Sequence, residues 1–325
     1  MDTSGVKMKK VSIICPFHNE DDILEETIQS FVAQTYPNKE LILMDNSDPG
    51  NKATEIAKAY AKKYPWIKYY YTPNIKGKWA SHYYIEAIKK AIGEVMYIAD
   101  ANAKIPPDYL VLTVPLIKGK VAGVVGKVKI WPDPSPISKY RDVVWTLRYN
   151  DISRIEREIG ESHNFPRTLS KEAYDKVGGF KPEAGWAIDT FFNQDLKKQG
   201  YVTVYEPRAV WWHKWRDNPR ALMRYSYKFG TLNYDLAKTD TRQWLKIGFF
   251  LSPFVALVLS VFFPWLLMYV ILHPFLLLLK YLKLYLQAKG HPHRSYVLLG
   301  PFISYLQNVP YTFGFLKSLL FVHKS

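Results

Sequence analysis

The N-terminal part of the chain alternates between two hydrophobic periods, and that alternation leaves few folds open. The stretches "KVSIICPF", "KELILMDNS", "IKYYYTP" and "EVMYIADAN" are continuous apolar runs of strand length. Between them, "DDILEETIQSFVAQ", "GNKATEIAKAYAKKY" and "WASHYYIEAIKKAIG" carry apolar residues at helical spacing, as at Ile23, Leu24, Ile28, Phe31 and Val32. Acidic residues open the first helix, where the helix dipole favours them. Strands without a polar face must be covered on both sides. The pattern therefore predicts an α/β domain whose central sheet is mostly parallel. Ligands of such sheets sit beyond the carboxyl ends of the strands. The polar residues there are Asn19 and Glu20, Asp45 to Asp48, and Asp100 with Asn102, a set suited to a nucleotide and a metal ion.

The second half is less regular. "GVVGKVKIWP" and "YVTVYEP" read as strands. "SKYRDVVWTLRYNDISRIEREIG", "TLSKEAYDKVGGF", "AIDTFFNQDLKKQG" and "NPRALMRYSYKFGTLNYDLAK" read as helices. From Ile247 to Leu279 the chain is almost unbroken apolar sequence. A membrane span needs roughly 20 residues, so the run is too long for one crossing, and Pro264 could turn a hairpin of two. "YVLLGPFISYLQNVPYTFGFLKSLLFV" follows as a third span, a re-entrant hairpin or an interfacial helix.

Charge sharpens this division. The net charge is +15, and Asp240 is the last acidic residue, so the tail holds eight Lys and Arg and no Asp or Glu. Cations interleaved with long apolar runs suit an anionic membrane surface better than nucleic acid. The basic stretch after Leu279 is expected on the cytoplasmic side. The polar start "MDTSGVKMKK" lacks the apolar core of a signal peptide, so the expected location is the cell membrane, multi-pass, with a cytoplasmic catalytic domain. The single cysteine, Cys15, rules out a disulfide within the chain.

Several ordered pieces resemble glycosyltransferase family 2, the inverting enzymes of the GT-A fold. "SIICPFHNEDDILEETIQSFVAQTYPNKELILMDNSD" resembles its opening block, and "GEVMYIADANAKIPPDYL" its Asp-x-Asp block. "LSKEAYDKVGGF", "AIDTFFNQDLKKQGY" and "YEPRAVWWH" follow in the family's order, and "YTFGFLKSLL" resembles the tail of its membrane-anchored members. There are departures. Asn46, Asn102 and Ile188 stand where acids are usual, and "MRYSYKFG" replaces the Gln-x-x-Arg-Trp signature of polymerising members.

The resemblance implies a nucleotide-sugar-binding half at 10–130 after a short extension at 1–9. An acceptor-binding half at 131–240 and a membrane region at 241–325 complete the expected organisation. It further implies a donor that is a UDP- or GDP-linked sugar, a lipid-linked or saccharide acceptor, and no nucleic-acid partner. Asp100, Asn102 and His213 would hold Mn2+ or Mg2+, which neutralises the leaving diphosphate. Pro16, Glu20, Asp45, Lys78, Asp100, Arg224 and Lys228 would meet the donor, Asp45 by reading the base. Asp189 would be the general base. Arg220, Arg224 and Lys228 share a helix face, facing a phosphate or lipid headgroups. Trp211, Trp212 and Trp215 would lie at the membrane surface. Two alternatives stay open: a synthase with a polyprenyl phosphate acceptor, and a nucleotide-binding membrane pseudoenzyme.

Overall fold

The computed structural model describes residues 8–21, 23–75, 78, 80–132, 134–149, 165–182, 188–232 and 241–321. The chain divides into two compact units, Met1–Trp131 with Arg148–Lys214, and Pro132–Leu147 with Trp215–Ser325. The expected 10–130 half lies within the first unit, while the expected 131–240 stretch is shared between the two.

In the first unit the order is β1 (Val11–Phe17), α1 (Leu24–Val32), β2 (Lys39–Asp45), α2 (Lys52–Lys63), β3 (Ile67–Tyr71), α3 (Ala80–Ile88) and β4 (Val95–Ile98). Then come β5 (Ala103–Lys104), α4 (Tyr109–Thr113) and β6 (Val121–Ile130). After α5 (Pro136–Tyr149), which belongs to the second unit up to Leu147, come β7 (Thr168–Ser170), α6 (Lys171–Lys176), α7 (Ile188–Lys198) and β8 (Val202–His213). Among the described residues the strands form one sheet in the order β3-β2-β1-β4-β7-β6-β8-β5. Pairs β1–β2, β2–β3, β1–β4 and β6–β8 are parallel; β4–β7, β6–β7 and β5–β8 are antiparallel. The sheet is thus parallel where the alternation was regular and mixed beyond β4. The chain runs outward from β1 through β3 and returns to place β4 on the other side of β1. This reversal opens a crevice at the carboxyl ends of those strands.

Strand periodicity assigns the core. Ile13, Cys15, Leu41, Leu43, Val95 and Tyr97 point to one face, under α1, α2 and α4. Ile14, Ile42, Met44, Met96 and Ile98 point to the other, with residues of α3, α6 and α7. Both faces are covered, as continuous apolar strands require. Two sequence readings change. "TLSKEAYDKVGGF" is not all helix, because Thr168–Ser170 pair between β4 and β6. Strand β8 does not end at Pro207, where the local pattern stops, but runs on to His213, the ending that the resemblance of "YEPRAVWWH" implies. A register shift between Gly126 and Lys127 absorbs the proline beside β6.

The second unit gathers α5, α8 (Pro219–Leu232), α9 (Thr241–Leu259), α10 (Leu266–Gln287) and α11 (Gly300–Phe321). Tyr140 and Val143 of α5, Leu222 of α8, Phe250 of α9, Tyr281 of α10 and Ile303 of α11 share one apolar cluster. Helices α8 and α11 cross through glycines. A Cβ on Gly230 would collide with the Tyr311 carbonyl, and one on Gly314 with the Tyr227 carbonyl. Small residues at a crossing let two backbones approach closely, as in membrane helix pairs.

Pro264 lies in the turn between α9 and α10, as expected, but the two expected crossings are not matched. Among the described residues only α10 is long and apolar enough to span a bilayer, with mean hydropathy 1.6, while the apolar part of α9, Gln243–Leu259, is shorter. Helix α11 has the length, but Gln307, Asn308 and Lys317 dilute its apolar character.

Gly314→Ala should push α11 off α8 and destabilise the protein by about 1–3 kcal/mol, the usual cost of overpacking. A lowered thermal midpoint of the detergent-purified protein is the expected reading, whereas an unchanged midpoint would show that the crossing adapts.

Candidate functional site

The loops after β1 and β2 are clasped by one asparagine. Asn19 has φ 54°, a left-handed conformation that asparagine tolerates better than most residues. Its amide donates to Asp48 Oδ2 at 2.7 Å, its carbonyl oxygen accepts from the Asp48 N–H at 3.0 Å, and its own N–H donates to Ser47 Oγ at 3.0 Å. Asp45, at the end of β2, is sealed from solvent. Its carboxylate accepts from the Ser47 N–H at 2.8 Å, the Thr54 hydroxyl at 2.6 Å and the Tyr69 hydroxyl at 2.8 Å. As placed, those oxygens hold the turn into α2 and do not face a ligand.

Asp100 follows β4 and is the electrostatic centre of the crevice. Arg167, immediately before β7, meets it as a fork: Nη1 donates to Oδ1 at 2.9 Å and Nη2 to Oδ2 at 2.5 Å. Backbone pairing sets this up, because the Ile98 N–H donates to the Arg167 carbonyl at 2.7 Å and brings the two strand ends together. The guanidinium stacks on the Trp211 ring, 4.7 Å from its centroid. The Tyr84 hydroxyl lies 3.0 Å from Asp100 Oδ1 and 2.9 Å from the Ala99 carbonyl. His213, at the end of β8, brings Nε2 to 3.6 Å from Asp100 Oδ2. Burial alone would raise the Asp100 carboxyl. The charges of Arg167 and His213, with hydrogen bonds from Arg167 and Tyr84, outweigh it and hold the carboxyl below its ordinary value. The same burial, reinforced by the charge on Asp100, raises the Tyr84 phenol well above its usual value, so Tyr84 stays a donor.

Asn102 is brought to the same strand ends but faces Lys214: its side-chain amide N–H donates to the Lys214 carbonyl at 3.0 Å, and its backbone carbonyl accepts the Lys214 N–H at 2.8 Å. The expected metal trio is therefore only partly assembled. Asp100 and His213 are neighbours, yet both oxygens of Asp100 are taken by Arg167. Among the described residues no group of three or more His, Cys, Asp and Glu is placed to hold a metal ion. As the side chains stand, the donor set does not fit a divalent ion. Trp211 also departs from expectation, since its ring supports Arg167 at the site and not a membrane surface.

The remaining candidates are spread out. Pro16 lies within β1, paired with Met44 one residue before the strand ends at the buried Phe17, and the Glu20 carbonyl caps the start of α1 by accepting from the Ile23 and Leu24 N–H groups. Lys78 is exposed beyond β3. Asp189 lies half-buried in the first turn of α7. Arg224 and Lys228 are exposed on α8, in the second unit.

Residues 12–178, just over half of the chain, match the family model for glycosyl transferase family 2. The chain belongs to that family. Its relatives include a probable glycosyltransferase, YdaM, of Bacillus subtilis, 24% identical over 217 residues that cover 64% of this chain and 51% of YdaM. Another is a dolichol-phosphate mannosyltransferase of Pyrococcus furiosus, 30% identical over 131 residues covering 38% of this chain and 36% of that protein. The chain thus spans about half the length of YdaM. Among solved structures, mannosyltransferase PcManGT of Pyrobaculum calidifontis, in complex with GDP-Man and Mn2+, superimposes with a TM-score of 0.58 at 19% identity. That match covers 98% of this chain and 89% of the other, and it shows a shared GT-A-like fold.

This family 2 member carries a residue that the sequence reading missed. Arg167 gave no local signal beyond a lone cation before a three-residue strand. Its importance comes from pairing with a carboxylate 67 positions away.

Arg167→Met should cost about 3–5 kcal/mol, as removal of one partner from a buried pair does. In the wild type the folded carboxyl of Asp100 lies below its unfolded value. Its stabilisation is therefore complete above the unfolded pKa of about 4 and is lost only as pH falls through the lower folded value. In Arg167→Met, burial prevails and the carboxyl rises, so the penalty is greatest at neutral pH. Thermal melts at several pH values check this: the gap between variant and wild type should narrow as the pH falls toward 4.

Proposed function

We propose that this protein is a membrane-associated inverting glycosyltransferase that moves a sugar from a UDP- or GDP-linked donor to a lipid-linked or saccharide acceptor. One arrangement carries this reading. Asp100, with its buried partners, sits at the carboxyl end of β4, where the strand order reverses beside β1. This is the place where open α/β sheets bind nucleotides. The family, and the GDP-Man held by a protein of like fold, support a nucleotide-sugar donor.

The acceptor oxygen attacks the anomeric carbon on the face opposite the leaving nucleoside diphosphate. The bond to the diphosphate breaks with its electron pair, and the configuration inverts. A sugar hydroxyl must lose its proton in this step. Asp189, in the first turn of α7, is the carboxylate we assign to take it. A phosphate acceptor arrives already ionised and needs no base. Lys78, beyond β3, is assigned to the donor phosphates as an exposed cation near the crevice loops. Arg224 and Lys228 share a face of α8 with Arg220 and are assigned to an anionic headgroup or phosphate. Asp45 is assigned to the base pocket through the loop it holds.

Membrane association rests on α10. Only 17% of its apolar window is buried inside the protein, and Met268, Ile271 and Leu279 are 64%, 67% and 71% exposed. The core helix of a water-soluble domain would be covered. An uncovered apolar surface of this kind calls for lipid or an apolar partner, and a lipid-linked acceptor fits an enzyme held there.

Incubation of the detergent-purified protein with radiolabelled UDP- and GDP-sugars and a lipid extract should move label into the organic phase. No transfer from any donor, with nucleotide still bound, would favour the pseudoenzyme. Asp189→Asn then separates the two acceptor classes. A fall in kcat of about 10²–10⁴ is expected for a hydroxyl acceptor, and a much smaller fall for a phosphate.

A further inference from the structure

We infer that Arg167 is the resident counter-cation of the donor diphosphate, standing where relatives with an Asp-x-Asp pair would carry a divalent ion. The inference rests on the donor reading above and goes beyond it, because it assigns the charge-neutralising task to a side chain of the protein.

Charge balance is the first observation. An Asp-x-Asp pair carries two negative charges and a dication balances both. Here the second position is Asn102, so Asp100 alone is charged, and a single cation balances it. Loss of one carboxylate and replacement of a dication by a guanidinium leave the site with the same net charge. Each change would be unfavourable alone; together they are neutral.

Geometry is the second. Arg167 is held at Asp100 by two parallel hydrogen bonds, and Nη1 lies 3.3 Å from the Ile98 carbonyl. A guanidinium has five N–H donors in a rigid plane. These contacts use both hydrogens of Nη1 and one of Nη2. Among the described residues, the other Nη2 hydrogen and Nε–H meet no acceptor and form the planar edge that suits a phosphate bidentately. Trp211 behind the ring and Asp100 beside it fix its orientation before the ligand arrives. Its side chain is 14% exposed, so it is reachable from the crevice yet largely desolvated. In such surroundings a preorganised cation is worth more than in water.

The same fork explains why the expected metal ligands do not converge. A divalent ion would have to displace Arg167 from both Asp100 oxygens and find a second carboxylate where Asn102 turns toward Lys214.

The test is titration calorimetry of UDP and GDP into the full chain in detergent, in EDTA and in MnCl2, for wild type, Arg167→Lys and Arg167→Met. One nucleoside diphosphate should bind the wild type in EDTA, with Mn2+ changing its affinity by less than about threefold. Arg167→Met should bind it about 10- to 100-fold more weakly in EDTA, the scale of losing charge-assisted hydrogen bonds. Arg167→Lys keeps the charge without the fork and should fall between them. Wild-type binding that weakens more than threefold in EDTA would overturn the inference and leave the donor reading standing. Absence of binding in both conditions would remove the donor reading and the inference together. Should Arg167→Met fail to fold, the wild-type comparison and Arg167→Lys still decide.

Discussion

The Asp100–Arg167 ion pair is the interaction on which the candidate site depends. It joins the end of β4 to the start of β7, and through Trp211 and His213 it reaches β8. Three strands that meet from different parts of the chain are thus registered at one point. A buried pair of this kind adds little net stability, because desolvation offsets most of the attraction. Its contribution is specification. Each partner is costly to leave alone, so the arrangement that satisfies both is selected from the alternatives.

The rest of the site follows from sheet topology. Parallel strands β1, β2 and β4 direct their carboxyl ends the same way, and each delivers polar residues to the same side. Asn19 then locks the first two loops together by reciprocal hydrogen bonds with Asp48. Asp45 is drawn into the same task. Its three donors come from its own loop, from α2 and from β3, which makes it a support of the loop after β2.

Much of this was legible in sequence wherever the signal is local. Strands β1 to β4 and helices α1 to α3 are long enough to display their period, and their order implied the sheet and its crevice. Asp100 was legible because it ends a strand within a recognisable block. What escaped notice depends on pairing between distant segments. Three residues cannot show a strand period, so β7 lies hidden within a helical reading, and Arg167 stands just before it with no local signal. For β8 the local pattern stops at Pro207, while the resemblance of "YEPRAVWWH" carries the strand to its histidine; only the partner strand shows the irregularity that accommodates the proline. The tryptophans looked like an interfacial belt because composition cannot say which ring faces a guanidinium. In the tail, apolar length suggested two crossings, while the position of the turn leaves one helix with the reach.

Cys15 lies midway along β1 with no exposed surface, and burial pushes its thiol up, away from the reactive thiolate. It is the only cysteine in the chain. Thiol-directed reagents therefore find no accessible target in the folded protein. One cysteine introduced anywhere on the surface would be chemically unique without removal of the native one. The unmodified chain is, in effect, already a cysteine-free background, on which probes set along α9, α10 and α11 can report whether each helix meets lipid or water.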